Sequence, residues 1–257
     1  VHRPALRRPR RPLWAPWAFT LATLSPWAAA QGAFDMLQWS GTAWFESDRF
    51  YRGVSQSSGH PSVGAVLNLD HRSGAYGGLS VATVELVPGS RRAQTLLYAG
   101  LARRLGEGRW SWDLGVQDIR FQDHSTRHYQ ELYASLGGPP GSLRLHWSPD
   151  YYGMGRAAQY LSWQHGGTMA WLPAPAGGGW RWSAHAGVLH WPRELPGQRR
   201  WRADGQAGVA LDLGRFTLEG ALVAAQRSTS LYPSSYELYY GSRAARVHGL
   251  LRVSAGF

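Results

Sequence analysis

From Leu37 onward the chain alternates between two kinds of residue. Leu37, Trp39, Gly41, Ala43 and Phe45 share one parity, and Gln38, Ser40, Thr42 and Glu46 share the other. Successive side chains of an extended strand point to opposite faces, so the pattern describes a ribbon with one apolar and one polar face. It returns at Val63, Ala65, Leu67 and Leu69 against Gly64, Asn68 and Asp70, and at Trp110, Trp112, Leu114 and Val116 against Ser111, Asp113, Gly115 and Gln117. Leu143, Leu145 and Trp147 oppose Arg144, His146 and Ser148, and Phe216, Leu218, Leu222 and Ala224 oppose Thr217 and Glu219. The pattern is cleanest at Val247, Leu251, Val253, Ala255 and Phe257, which oppose Arg246, His248, Arg252 and Ser254. Around 75–85 and 159–172 it weakens, and strands are placed there by spacing.

Twelve strands are predicted, with ten or fourteen as the alternatives, starting near residues 37, 62, 75, 93, 109, 128, 143, 159, 179, 200, 215 and 244. Each has roughly the 9 to 11 residues that a tilted strand needs to cross a bilayer. The connections near 72–74, 105–108, 137–142, 173–179 and 214 are mostly tight and rich in Gly or Pro. Those near 47–61, 86–92, 122–127, 149–158, 191–199 and 227–243 are mostly longer and more polar. Such an order predicts an all-β fold, a transmembrane antiparallel up-and-down β-barrel with periplasmic turns and extracellular loops. Both ends of the mature chain then lie on the periplasmic side. Trp39, Trp110, Trp112, Trp180, Trp182 and Phe216 fall at that interface, where amphipathic rings are favoured. Soluble sandwiches and lipocalin-like barrels also alternate, and they differ in which parity faces inward.

The first thirty residues decide in favour of export. Arg3, Arg7, Arg8, Arg10 and Arg11 precede an apolar stretch from Leu13 to Trp27 and then Ala28, Ala29 and Ala30. This is the order of a secretory signal peptide, so residues 1–30 are expected to be removed and 31–257 to form the barrel. Removal lowers the formal net charge from +11 to +6, so much of the basic character belongs to targeting. The remaining arginines are spread out, which argues against a nucleic-acid surface. No cysteine occurs, so neither a disulfide framework nor a thiolate metal site is available. No later apolar run is long enough for a spanning helix.

The segment from Glu46 to Pro61 resembles the proteobacterial TorF family of porins. Ser47, Asp48, Arg52, Gly53, Ser55, Gln56 and Pro61 match its S-D-Y-x-x-R-G-x-S-Q pattern and following proline, with Arg49, Phe50 and Tyr51 in a shifted register. Ser73 to Gly78 resembles the glycine-aromatic hairpin of that family, and Tyr129-x-Glu131-x-Tyr133 its Y-x-E-x-Y strand. A final strand closing on Phe257 looks like the assembly signal of outer-membrane barrels. The resemblance implies solute diffusion across the outer membrane and supplies no catalytic residues. The partners expected are the outer-membrane bilayer, the secretion and barrel-assembly machinery, and small solutes.

The expected lining comes from the polar parity and the first long loop: Glu46, Arg52, Gln56, Asp113, Glu131, Arg144, Arg181, Arg202, Asp204, Glu219, Arg246 and Arg252. Basic and acidic members balance, so the sequence favours neither anions nor cations. The charges either set up a transverse field that orients solutes or neutralise one another in a wet interior. The segment 48–61 is expected to fold inward and constrict the channel, with Arg52 and Gln56 as its polar contacts. Twelve strands lie between the eight that side chains fill and the sixteen that leave a channel, so a narrow lumen is expected.

Other chemistry is weaker. Gly153-Met-Gly155-Arg-Ala-Ala158 mimics a dinucleotide fingerprint without the helix or distant acid that binding requires. Asp123, His124 and His128 have metal-binding side chains but read as a solvated loop cluster. His146, His185 and His248 are candidate bases for a barrel hydrolase, but each lies on the polar parity near arginine and reads as a water-lined histidine. No cofactor, metal or catalytic group is expected. A closed barrel with ligand-binding loops is the second reading, and a hydrolase the third.

Overall fold

Twelve antiparallel strands pair in sequence order and close into a barrel. In this computed structural model, residues 37–257 are described except 88, 107, 176, 192–199 and 227–246. The expected signal segment and Arg246 lie outside the described residues. The barrel strands are β1 (Leu37–Glu46), β4 (Ser62–His71), β5 (Ala75–Val87), β6 (Ser90–Leu105), β7 (Trp110–Phe121), β8 (Tyr129–Gly138) and β9 (Gly141–Ser148). The others are β10 (Ala158–Thr168), β11 (Gly178–His190), β12 (Trp201–Leu213), β13 (Phe216–Ala225) and β14 (His248–Gly256). Two further strands, β2 (Phe50–Tyr51) and β3 (Val54–Ser55), form a separate small sheet.

The seam between β1 and β14 runs from Thr42↔Gly256 to Glu46↔Arg252. Gly41 and Phe257 extend it by exchanging backbone bonds of 2.9 and 3.0 Å. The Phe257 ring lies on Gly41, where a Cβ would come within 2.3 Å of it. Only a residue without a side chain accepts that ring at this register.

Burial settles the direction of the two faces. Leu132, Leu222 and Leu251 are 51, 59 and 69 % exposed, whereas Glu46, Asp113, Glu131, Arg144, Arg202, Asp204 and Arg252 are buried. A continuous exposed belt of Leu and Val is costly in water and suits hydrocarbon, while the enclosed polar residues hydrate or pair with one another. The barrel is therefore apolar outside and polar inside, the reverse of a lipocalin-like arrangement. At the turn end, indole N–H groups find carbonyl acceptors: Trp163 Nε1 donates to Pro140 O and Trp180 Nε1 to Pro173 O, each at 3.0 Å. Trp39, Trp110, Trp182 and Phe216 are exposed at the same end.

Two connections differ from expectation. Where a loop is predicted at 86–92, β5 continues to Val87 and β6 already begins at Ser90, and these two residues pair. An irregularity between Val84 and Val87 buries both Glu85 and Leu86, and Glu85 Oε1 accepts from the Gly89 N–H at 2.7 Å. The connection placed at 173–179 begins earlier, since β10 ends at Thr168.

The high glycine and tyrosine content has a packing reason. Trp44 lies over Gly64, Tyr98 over Gly78, Tyr76 over Gly100 and Tyr133 over Gly115, each on the residue directly opposite in the neighbouring strand. A Cβ at any of these glycines would meet the ring at 2.3–2.5 Å. Rings laid along the wall occupy less of the lumen than rings projecting into it. These tyrosines also explain why the alternation fades near 75–85, where the inner face carries rings and small residues instead of charges.

Candidate functional site

After Glu46 the chain turns into the barrel. Tyr51 pairs with Val54, and Arg52 (φ 51) and Gly53 (φ 74) form the connecting turn. A two-residue hairpin turn with both central residues at positive φ matches strand twist. Glycine adopts that geometry freely, but an arginine there costs about 1–2 kcal/mol, which surrounding contacts must offset.

Those contacts span the lumen. Arg52 Nη2 donates to Glu131 Oε2 on β8 at 2.6 Å. Its guanidinium lies 4.3 Å from the ring centre of Tyr160 on β10, 4.8 Å from Tyr51 and 5.2 Å from Tyr151. In the closed strand order, β8 and β10 lie opposite β1, so the hairpin reaches the far wall. Its tip also touches β12 and β13: a Cβ on Gly53 would stand 2.6 Å from the Cβ atoms of Asp204 and Ala225. Arg202 Nη2 donates to the Arg52 carbonyl at 3.4 Å.

The returning limb is fastened as well. Gln56 Nε2 donates to the Tyr152 hydroxyl at 2.6 Å, and the Gln56 carbonyl accepts from the Glu85 N–H at 2.7 Å. Ser58 Oγ donates to Glu85 O at 2.7 Å. Asp48 accepts from the hydroxyls of Ser55 and Ser57 at 2.6 and 2.8 Å, closing the base of the hairpin. Phe50 is buried against Ala221, Val223 and Leu250. Tyr151 and Tyr152 join Phe121, Tyr129, Tyr160, Leu189 and Trp191 in an aromatic cluster inside the loop end. Burial raises the Tyr151 and Tyr152 hydroxyls above their ordinary pKa, so both stay neutral.

Around the hairpin the charges are arranged in groups. Glu46 accepts from Arg49 Nη1 and Trp44 Nε1, each at 3.1 Å, and from Arg252, which also lies 3.6 Å from Glu219. Glu131 Oε2 accepts from Arg52 and from Gln117 Nε2 at 2.7 Å, and lies 3.0 Å from His146 Nδ1. Asp204 Oδ1 accepts from the Tyr160 hydroxyl at 3.0 Å and lies 3.1 Å from His185 Nε2. Nearer the turn end, Arg144 Nη2 donates to Asp113 Oδ2 at 2.5 Å, and the Tyr76 hydroxyl also reaches Asp113. Arg181 forks onto Asp212, which accepts from Thr217 at 2.8 Å.

A family model described as "Bacterial protein of unknown function (Gcw_chp)" matches residues 29–247. The chain belongs to the Gcw_chp family. No curated protein matches the sequence. Among solved structures, this Gcw_chp barrel is similar to the NanC porin at 8 % identity and TM-score 0.48, covering 86 % of this chain and 99 % of that one. It is also similar to LpxR from Salmonella typhimurium, at 10 % identity and TM-score 0.44 over 85 % of this chain and 99 % of that one. OprD of Pseudomonas aeruginosa gives 9 % identity and TM-score 0.34 over 88 % and 68 % of the two chains. Likenesses this distant carry no function to the Gcw_chp chain.

The sequence-derived lining residues therefore fall into three places. Arg52 and Gln56 are on the inward hairpin, and Glu46, Glu131, Arg202, Asp204, Glu219 and Arg252 surround it on the wall. Asp113, Arg144 and Arg181 lie toward the turn end. Sequence reasoning placed Gln117 on the polar parity but did not single out Arg49, Gln94, Tyr151, Tyr152 or Tyr160. Gln94, which accepts from Arg49 Nη2 at 3.1 Å, and Tyr160 share the inward parity of their strands, so strict parity counting would have found them. Arg49 and the tyrosine pair are in connections, where periodicity gives no direction. Asp123 pairs with Arg92 at 2.7 Å and His128 Nε2 lies 2.9 Å from Phe121 O. Burial, with Arg127 and Arg92 nearby, holds the His124 pKa below its ordinary value.

Proposed function

We propose that this protein resides in the outer membrane as a porin, passing small hydrophilic solutes by diffusion through a narrow polar lumen without catalysing a reaction. One observation carries the reading: the hairpin bearing the buried Arg52 and Gln56 lies inside a wall that is polar within and apolar without, where it would constrict the bore. A polar interior has no structural purpose in a barrel that must merely be stable, because filling it with apolar side chains would serve as well. A polar segment held across a bore intermediate between the eight strands that side chains fill and the sixteen that leave an open channel would narrow the passage to small solutes. The TorF resemblance over 46–61 agrees with this role. On this reading residues 1–30 direct export, the turn end faces the periplasm, and Phe257 serves the assembly machinery.

A planar bilayer containing the purified, processed protein tests the proposal. Discrete small current steps are expected, and deletion of residues 50–58 should enlarge them several-fold. Silence from both proteins at every voltage would sink it. The second reading, a plugged barrel with binding loops, is favoured by the number of bonds that fasten the hairpin. Current from the deletion variant alone would select that reading.

A further inference from the structure

Among the described residues, the interior arginines Arg49, Arg52, Arg144, Arg181 and Arg252 each lie within ion-pair distance of a carboxylate. Arg202 does not. It is 4 % exposed, its only hydrogen bond among the described residues is the long one to the Arg52 carbonyl, and its Nε has no partner there. Two residues further along the same inward face of β12 stands Asp204, 8 % exposed. Tyr160 and His185 both engage its Oδ1, and its Oδ2 has no partner. Buried polar atoms are paired in nearly all native interiors, and an uncompensated buried charge is costly. Here an unused cationic donor edge and an unused anionic acceptor occur side by side without bonding to each other. Residues two apart on one strand face are separated by about 7 Å.

We infer that Arg202 and Asp204 form a binding site for a small zwitterionic solute of the amino-acid class, its carboxylate on the Arg202 Nε edge and its ammonium on Asp204 Oδ2. An arginine edge matches a carboxylate in shape and charge, and a free carboxylate oxygen accepts from an ammonium group. The remaining neighbours fix the pair in place. Tyr160 and His185 orient Asp204, and the hairpin tip at Gly53 packs on its Cβ. A solute reaching the site replaces contacts of that tip, so binding and passage past the hairpin are one event. A solute with only one charge satisfies one partner and leaves the other exposed to the same cost, which is the source of discrimination.

This inference rests on the channel reading, and one experiment separates the two. The full processed protein is reconstituted into liposomes, and swelling is followed in β-alanine, glycerol, propionate and ethanolamine. β-Alanine is expected to enter several-fold faster than glycerol and to saturate, with no such excess for the singly charged solutes. Arg202→Gln and Asp204→Asn should each bring the β-alanine to glycerol ratio to about one. Should Arg202→Gln prevent assembly, Arg202→Lys keeps the charge and removes the Nε edge, and the wild-type ratio and saturation decide the matter without any variant. Glycerol entry with an equal, unsaturable β-alanine rate overturns the site and leaves the channel standing. A ratio that survives both substitutions, or an equal excess for propionate, overturns it too. No swelling in any solute overturns both.

Discussion

Arg52 on the hairpin tip and Glu131 on the far wall are 2.6 Å apart, and each is almost wholly removed from solvent. Their bond ties a loop that starts beside β1 to the opposite side of the barrel, and it holds an arginine in a backbone conformation that arginine disfavours. Breaking a buried ion pair by removing one partner costs about 3–5 kcal/mol, because the other charge is stranded. Glu131→Ala should therefore free the hairpin and raise bilayer conductance several-fold. The double variant Arg52→Ala, Glu131→Ala should lose less stability than the two single losses added together, in a denaturant titration of detergent-solubilised protein. Additive losses would mean that the pair does not act as a unit.

Gly53 tests the fit of the tip against the wall. Its φ is +74 and a Cβ would lie 2.6 Å from both Asp204 and Ala225. Gly53→Val should displace the tip by steric overlap and by backbone strain together. Labelling of a single cysteine placed at Val54 should then become faster by an order of magnitude or so, given the span of local opening energies. An unchanged rate would show that the tip tolerates the added bulk.

Closure of the barrel depends on Gly41. A side chain there would occupy the place of the Phe257 ring at the β1–β14 seam. Gly41→Leu should sharply reduce the heat-modifiable, folded form on cold electrophoresis, whereas Ala43→Leu on the same outward face should leave it near the wild-type level.

The outer belt predicts a polarity penalty that depends on face alone. Leu97 is 47 % exposed at the centre of β6. Leu97→Arg should destabilise the folded barrel by about 2–4 kcal/mol in lipid, the cost of arginine near the bilayer midplane. Leu97→Ala should cost much less. Equal effects would place this face outside hydrocarbon.

Much of this architecture was legible in the sequence. Period-two alternation located most of the barrel strands within a few residues of their observed starts, as at Val63 to Leu69 and Leu143 to Trp147, because side-chain direction in a strand depends only on parity, and spacing supplied those near 75 and 159. Parity also gathered Glu46, Asp113, Glu131, Arg144, Arg202, Asp204 and Arg252 onto one face. It fails at 86–92, where the polar Ser90, Arg91 and Arg92 read as loop although they open β6, and where an irregularity between Val84 and Val87 shifts which side chains face inward.

Local pattern thus determined the ribbons, their number and the company each side chain keeps along one face. Tertiary closure alone decided that the polar face encloses the interior, that Arg52 meets Glu131 across the bore, and that Arg202 Nε and Asp204 Oδ2 are left without hydrogen-bond partners. Those outcomes depend on contacts between residues as far apart in the chain as Arg52 and Arg202. No local rule of alternation carries such distances, because only the circumference of the closed sheet sets which walls face each other.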